Sequence, residues 1–521
     1  MEAVGFETIG TFRAPARAVW FTALVLLSGC VNTADLTPAG QPPPRHGPPA
    51  QASWANDSPE FRAYPAVAER SVGEDRSGFP IVPNIVALFD DLVGKPARQP
   101  VTSLHRLLFF ALNTTFDFTY DLVNSTLPDW TSDTPVPPLS YGPGMDLVEW
   151  ERTLDALTGS TTSNGTIRFL IDGDRFFPTL VDEVMGARSS VDVRIYVFDT
   201  DDYATAFANL LKERSEDVDV RVLLDGLGTL LAAGVTPDSM PPDFEQPGSI
   251  THYLRKNSGV AVRVQSNPWF TGDHSKTIII DRRVAFVGGM NIAREYRYEW
   301  HDMMMEVRGP VVDIIDREFN KAWSRAGFFG DLGYLAYRLR PRKKIASGGG
   351  YPIRPLFTKV GDSEIYRAQL AAIRAARRYV YIENPYFSDD EILRELVKAR
   401  RRGVDVRVIL PFRGDSTVID YSNVLAANTM FRNGIRVFLY PGFTHVKAAI
   451  YDGWACVGSA NLDKMSLRVN EELNLATSHK ETVQALEKQL FEPDFERSVE
   501  MTQPLPQNWS YRLAEILADQ L

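Results

Sequence analysis

Two stretches of this chain, residues 187 to 291 and residues 376 to 461, run through the same succession of segments. ARSSVDVRIYVFDTDD (Ala187 to Asp202) has a counterpart in ARRYVYIENPYFSDD (Ala376 to Asp390), VDVRVLL (Val218 to Leu224) in VDVRVIL (Val404 to Leu410), and GVAVRVQ (Gly259 to Gln265) in GIRVFLY (Gly434 to Tyr440). Between the first two segments lie DYATAFANLLKERSE and EILRELVKARRRG, which read as helices. Apolar strands alternating with helices build an α/β layer in which a largely buried sheet is covered by helices. A unit written twice predicts an α/β fold of two halves, each a mixed β-sheet flanked by helices, related by a pseudo-twofold axis. The predicted halves span 161 to 330 and 356 to 521, the second ending in helices. RLRPRKK and ASGGG make 331 to 355 a loop-like linker.

Each copy delivers the same motif. HSKTIIID occupies 274 to 281 and HVKAAIYD occupies 445 to 452. TIII and AAIY are strand-forming, so period-2 geometry sets His274 with Lys276, and His445 with Lys447, on one face of their strands. Asp281 and Asp452 complete the motif. They fall where the strand must turn, and Asp-Gly at 452 is a strong hairpin signal. These aspartates are therefore expected to serve the turn and neighbouring backbone more than an adjacent histidine. The returning strand brings GGMN (Gly288 to Asn291) or GSAN (Gly458 to Asn461) back toward the same end of the sheet.

A phosphodiester needs such a set twice over. Attack on phosphorus develops charge on the non-bridging oxygens, which two lysines and two amides or hydroxyls stabilise electrostatically. One neutral imidazole attacks to form a phosphohistidine, while the other, protonated, donates to the leaving alcohol and then acts as base on the incoming one. The two half-reactions explain the duplication. The lysines supply the positive charge, so no metal and no other cofactor is expected, and no Cys or His spacing suggests a zinc site.

At these residues the chain resembles the phospholipase D superfamily, with both H-x-K-x-x-x-x-D motifs intact. NPYFSDDEILRELVKARRRGVDVRVILP, GSANLDKMSLRVNEELN and EWHDMMMEVRGPVV make it most similar to bacterial cardiolipin synthase-like proteins. The resemblance covers about 165 to 480. It implies that His274 is the nucleophile and His445 the general acid and base, with motif residues Lys276, Asp281, Lys447 and Asp452 in the catalytic set. It also implies that Asn291, Ser459 and Asn461 help hold phosphate, and that each histidine is oriented by an acidic residue of the opposite half: Glu472 for His274, Asp302 for His445. Such partners are expected to raise the imidazole pKa values. The implied activity is transfer of a phosphatidyl group from a membrane phospholipid to phosphatidylglycerol or glycerol. The alternatives are a hydrolase that transfers it to water, releasing phosphatidic acid, and a non-catalytic lipid-binding lipoprotein. A monomeric pseudo-dimer is expected.

The amino-terminal region supplies an address. Arg13 and Arg17 precede the apolar run AVWFTALVLL, too short to span a bilayer and suited to a signal peptide over residues 1 to 29. LSGC resembles a bacterial lipobox, which implies lipidation at Cys30. Val31 is not the Asp that retains such proteins at the inner membrane, so the resemblance implies an outer-membrane anchor facing the periplasm. Residues 30 to 56, rich in Pro, Ala and Gly, read as an extended tether. Residues 57 to 160 read as a helical region. Leu104, Leu107, Leu108, Ala111 and Leu112 fall along one helical face, as a cap on the body or as an amphipathic element at a lipid surface. The formal net charge of -10 disfavours a nucleic-acid partner. The remaining cysteine, Cys456, is expected to be a small buried apolar side chain.

Overall fold

A computed structural model describes residues 135 to 506 apart from 227, 230 to 236, 238, 242 to 243, 266 to 270, 341 to 347 and 416, together with 58 to 62, 94 to 109 and 111 to 112. The expected signal peptide, Cys30, the tether and the last residues lie outside this set.

The first half holds β1 (Ser163–Ile171), β2 (Ser190–Ile195), β3 (Asp219–Asp225), β4 (Ala261–Gln265), β5 (Lys276–Ile280), β6 (Val284–Gly288) and β7 (Met303–Arg308). The second holds β8 (Tyr351–Lys359), β9 (Asp362–Ser363), β10 (Tyr379–Glu383), β11 (Asp405–Pro411), β12 (Arg436–Tyr440), β13 (Ala448–Tyr451), β14 (Trp454–Gly458), β15 (Glu472–Thr477) and β16 (Val499–Glu500). Strand order from the middle outward is β1-β7-β6-β5-β2-β3-β4 on one side and β8-β15-β14-β13-β10-β11-β12-β16 on the other. The orders match strand for strand as far as β4 and β12, and β16 adds an edge strand to the second half. β1 and β8 pair antiparallel at the centre, Gly165 opposite Tyr351 and Ser163 opposite Ile353, so a local twofold runs between them. β2, β3 and β4 run parallel, whereas β5, β6 and β7 are antiparallel, and the second half repeats this mixture.

Strand alternation divides the interior into three cores. Ile278 and Ile280 of β5 with Phe286 of β6 pack beneath the helices Gly173–Met185 and Asp202–Arg214. Ile279, Ala285 and Val287, on the opposite face, join Ala448, Ile450, Val457 and Leu473 of the second half and the helix Val311–Arg325. Both faces of β5 and β6 are thus buried, which is why TIII and VAFV carry no polar alternation. The second half has its own outer core under the helices Glu364–Ala375 and Asp390–Arg401. Cys456 lies in it, buried, its thiol pushed up to about 12 by that burial.

The amino-terminal region is a clamp on both halves. Phe61 packs on Tyr203 with ring centroids 5.4 Å apart, and Glu60 bonds Arg297 in the first half. In the second half, Arg400 donates to the Pro137 carbonyl and the helix Leu147–Leu157 sets Trp150 edge-on against Trp454 at 5.2 Å. The stretch expected to be a loop-like linker differs. It contains the helix Gly330–Leu339, and β8 already begins at Tyr351. Leu332, Leu335 and Leu339 of that helix are exposed, so its helical spacing does not mark a buried stripe. Among the described residues no helix is long and apolar enough to cross a membrane.

Candidate active site

The motif turns sit at the far end of the sheet from the histidines. Residues 281 to 283 link β5 to β6 and residues 452 to 453 link β13 to β14, one residue fewer in the second copy. Asp281 (φ 53) and Asp452 (φ 48) adopt the left-handed turn conformation. Asp281 accepts from the backbone N–H groups of Arg188, Ser189 and Ser190; Asp452 accepts from those of Arg377, Arg378, Tyr379 and Met145. Each carboxylate thereby ties its hairpin to the start of the neighbouring strand. This corrects their place in a catalytic set: the odd offset and the turn put them at the hairpin, not with the imidazoles.

At the other end the two halves interlock. Asp273 forms a lone parallel bridge to Glu471, and Thr444 an equivalent one to His301. The His274 N–H donates to the Glu471 carbonyl at 2.9 Å, and the His445 N–H to the His301 carbonyl at 2.7 Å. The residue that follows each of these carbonyls then meets the ring across the halves. His274 Nδ1 lies 2.9 Å from Glu472 Oε1, and His445 Nδ1 lies 2.7 Å from Asp302 Oδ2. With Nδ1–H held by a carboxylate, Nε2 keeps the lone pair of a neutral imidazole. Lys276 Nζ donates to the His274 carbonyl at 2.8 Å and Lys447 Nζ to the His445 carbonyl at 2.6 Å.

The three other expected residues border this cluster and spend polar atoms within the protein. Asn291 accepts from the Val197 N–H and donates to the Tyr296 hydroxyl, while Ser459 donates to Glu472 Oε2 at 2.6 Å. Asn461 is buried with its Oδ1 lacking a partner. Gly289 occupies the place of Ser459 in the first half, and a Cβ there would lie 2.3 Å from Asp302 Oδ1. Only glycine lets that shorter carboxylate seat.

All of these groups act on one another. Burial, followed by the charges of Lys447, Lys276 and His274, holds the His445 imidazole well below its ordinary value. Burial also takes His274 down to about 4, with Glu472 opposing and Lys276 adding to the shift. The expected rise from acidic partners is therefore overturned, because desolvation and two ammonium groups outweigh one carboxylate. Burial lowers Lys447 to about 8 and raises Asp302 to about 7. A buried phosphodiester anion would offset much of this charge imbalance.

Sequence reading missed what stands behind each histidine. Arg194 bonds Asp273 and Glu471, both at 2.7 Å, and Arg106 bonds Glu471 at 2.8 Å. In the second half His301 lies between Asp172 (2.6 Å) and Asp494 (3.0 Å), while Thr444 donates to Glu383. The only sequence signal was adjacency: Glu471 and His301 each precede an orienting carboxylate. His301, Glu383 and Asp494 have donor atoms within 4.8 Å of one another, as do Asp199, Asp201 and Glu295. Both ring nitrogens of His301 already face carboxylates, the arrangement of an imidazolium rather than of a metal ligand. Aromatic rings are also uneven. Tyr296, Trp300 and Phe443 surround His445 at centroid distances of 5.4, 5.5 and 5.7 Å, whereas Tyr196 meets His274 edge-on at 4.8 Å.

Over residues 180–323 and 370–493 the chain matches the family described as cardiolipin synthase, PLD-like domain. A cardiolipin synthase of Listeria innocua is 29% identical over 357 residues, covering 66% of this chain and 72% of that protein. Cardiolipin synthase A of Pseudomonas aeruginosa is 31% identical over 352 residues, covering 66% and 69%. The crystal structure of phosphatidylserine synthase from Haemophilus influenzae shares the fold, with a TM-score of 0.53 over 71% of this chain and 96% of that one at 14% identity.

Proposed function

The chain belongs to the cardiolipin synthase family with a phospholipase D-like domain and is a phospholipid-modifying enzyme of that superfamily, and from this we propose that it transfers a phosphatidyl group through a covalent histidine intermediate. The observation that carries the proposal is the exchange of carboxylates, Glu472 to His274 and Asp302 to His445, each across the halves.

In the first step His274 Nε2 attacks phosphorus. The P–O bond to the departing glycerol breaks, and His445 gives that oxygen its proton. Lys276 and Lys447 face the charge that develops on the non-bridging oxygens. Glu472 stabilises the Nδ1–H as the ring becomes substituted and cationic. In the second step His445 takes the proton of an acceptor hydroxyl, which attacks phosphorus as the P–N bond breaks and His274 leaves neutral. With phosphatidylglycerol as both donor and acceptor, the products are cardiolipin and glycerol. Ser459 acts by bonding Glu472, and Asn291 by fixing the loop after β2, so both shape the site from behind.

Cys30, within LSGC, would carry the lipid anchor that holds this chemistry on the periplasmic face of the outer membrane. The test of function is to incubate the purified protein with labelled phosphatidylglycerol, with and without added glycerol, and to identify products by mass spectrometry. Cardiolipin together with glycerol-dependent exchange supports the proposal. Phosphatidic acid alone makes the protein a hydrolase, and no product from either mixture removes the catalytic reading.

A further inference from the structure

Nine of the thirteen exposed large apolar side chains among the described residues sit on two abutting segments. Val101, Leu104, Leu108 and Leu112 recur at helical spacing along 100 to 112 and are 51 to 71% exposed. Leu332, Leu335 and Leu339 recur likewise on Gly330–Leu339, with Phe328 and Phe329 just before it. Soluble surfaces scatter such residues singly; a concentrated set marks an interface.

The two segments are fastened together. The Val101 and Thr102 N–H groups donate to the Asp331 carboxylate at 3.0 and 3.2 Å, Gln99 donates to the Gly327 carbonyl at 2.9 Å, and Arg98 lies over the Phe328 ring at 4.8 Å. This sets the apolar rows side by side and gives the Asp331 carboxylate between them its hydrogen-bond donors. The buried side of the first helix carries Ser103 and Arg106, and Arg106 is the residue that bonds Glu471 beside the catalytic pair. The apolar face is thus held at a fixed distance from His274.

The charge at its border selects the occupant. Arg98, Arg338 and Arg340 border the rows, and the sequence continues with Arg342, Lys343 and Lys344, although the chain as a whole carries -10. Tyr334 lies between Arg325 (4.1 Å) and Arg338 (6.0 Å). Leucine and phenylalanine with a basic and aromatic border fit acyl chains beneath anionic headgroups. A second copy would bring two basic borders together. We propose that this paired-helix face docks on the surface of an anionic phospholipid bilayer and so presents the active site to its substrate. The inference rests on the reading of the substrate as a bilayer phospholipid.

The test uses the full chain carrying Cys30→Ser, with a nitroxide attached through Leu104→Cys, Leu335→Cys or, as a control on the second half, Val148→Cys. On addition of phosphatidylglycerol vesicles the labels at 104 and 335 should become accessible to oxygen and shielded from an aqueous nickel chelate, while the label at 148 stays in water. Leu104→Asp with Leu335→Asp should lower turnover on vesicles at least about tenfold, since two leucines lose their burial, and leave turnover of dispersed short-chain phosphatidylglycerol unchanged. Labels at 104 and 335 that remain in water overturn the proposal. So do labels already immobilised without vesicles, which would identify a second copy or the chain's own residues as the occupant. Depth is read without turnover, so an inactive protein whose labels insert would defeat the proposed reaction and leave the docking face standing.

Discussion

Behind His274 stand two guanidinium groups, Arg194 and Arg106, bonded to Asp273 and Glu471; at the equivalent places behind His445 stand Glu383, Thr444 and His301, with Asp494 and Asp172 beyond. The equivalence is one of register, since Val193 pairs with Ile278 and Ile382 with Ala449, which puts Arg194 and Glu383 at the same point of their strands. One backbone therefore carries a guanidinium in one copy and a buried carboxyl group in the other. Asp273 and Glu471 are neutralised by fixed cations. Glu383 is pushed well above its ordinary value by burial and by Asp494, and His301 is held cationic because Asp172 and Asp494 outweigh its burial. The consequence is visible at the reacting groups. The Asp302–His445 pair takes up a proton near pH 7, through Asp302 raised to about 7, whereas His274 takes one only near 4. Under the proposed assignment the half that can hold a proton near neutrality is the acid, and the half that cannot is the nucleophile.

The sharpest way to break this comparison is to remove each imidazole in turn. His274→Ala and His445→Ala should each lower phospholipid turnover by about ten-thousand-fold or more. With a p-nitrophenyl phosphodiester, whose leaving group needs no proton, His445→Ala should still accumulate a phosphohistidine detectable by intact mass, while His274→Ala should not. Equal behaviour of the two variants would remove the division of roles.

The backing networks should separate next, in stability. Arg194→Met leaves Asp273 and Glu471 short of a buried cation and should cost about 3 to 5 kcal/mol in denaturant melts. Glu383→Gln keeps the shape of a carboxyl that burial pushes toward its protonated form, so a change under about 1 kcal/mol is expected.

Asp302→Asn and Glu472→Gln should each lower turnover about a hundredfold, and they should differ in pH dependence. In the unaltered enzyme the nucleophile must be unprotonated, so kcat/KM falls as pH drops through about 4; the proton that His445 gives must be held with Asp302, so it falls as pH rises through about 7, where Asp302 loses it. Lys447, lowered to about 8, steepens the upper limb as its charge is lost. Asp302→Asn should remove the limb near 7 and Glu472→Gln should keep it. The same limb in both variants would assign the proton elsewhere. The turns should register in stability alone. Asp281→Asn, which keeps the shape and loses charge on bonds to Arg188, Ser189 and Ser190, should cost about 1 to 2 kcal/mol, with Asp452→Asn costing more because Met145 is a further buried donor.

The duplication, the strand and helix succession and the two His/Lys pairs were legible because each is local: spacing within a strand decides which side chains share a face. The partnership of Glu472 and Asp302 came from family resemblance, since nothing within 198 or 143 residues of chain records it. Arg194 was illegible for the same reason, its partners lying 79 and 277 residues away. The helix Gly330–Leu339 was illegible because RLRPRKK and ASGGG dominate the reading of that stretch and its leucines face outward, so no buried stripe announced it. The pKa direction failed on desolvation, which a sequence does not display.

The bridges of Asp273 to Glu471 and Thr444 to His301 have a bearing on biosynthesis. A ribosome that has released residues 1 to 330 has made His274 and Lys276 without Glu472, Lys447 or His445. Under the proposed mechanism that nascent piece has no partner for its nucleophile. Under that mechanism, phosphate-ester cleavage begins only once β13 and β15 have joined the first half.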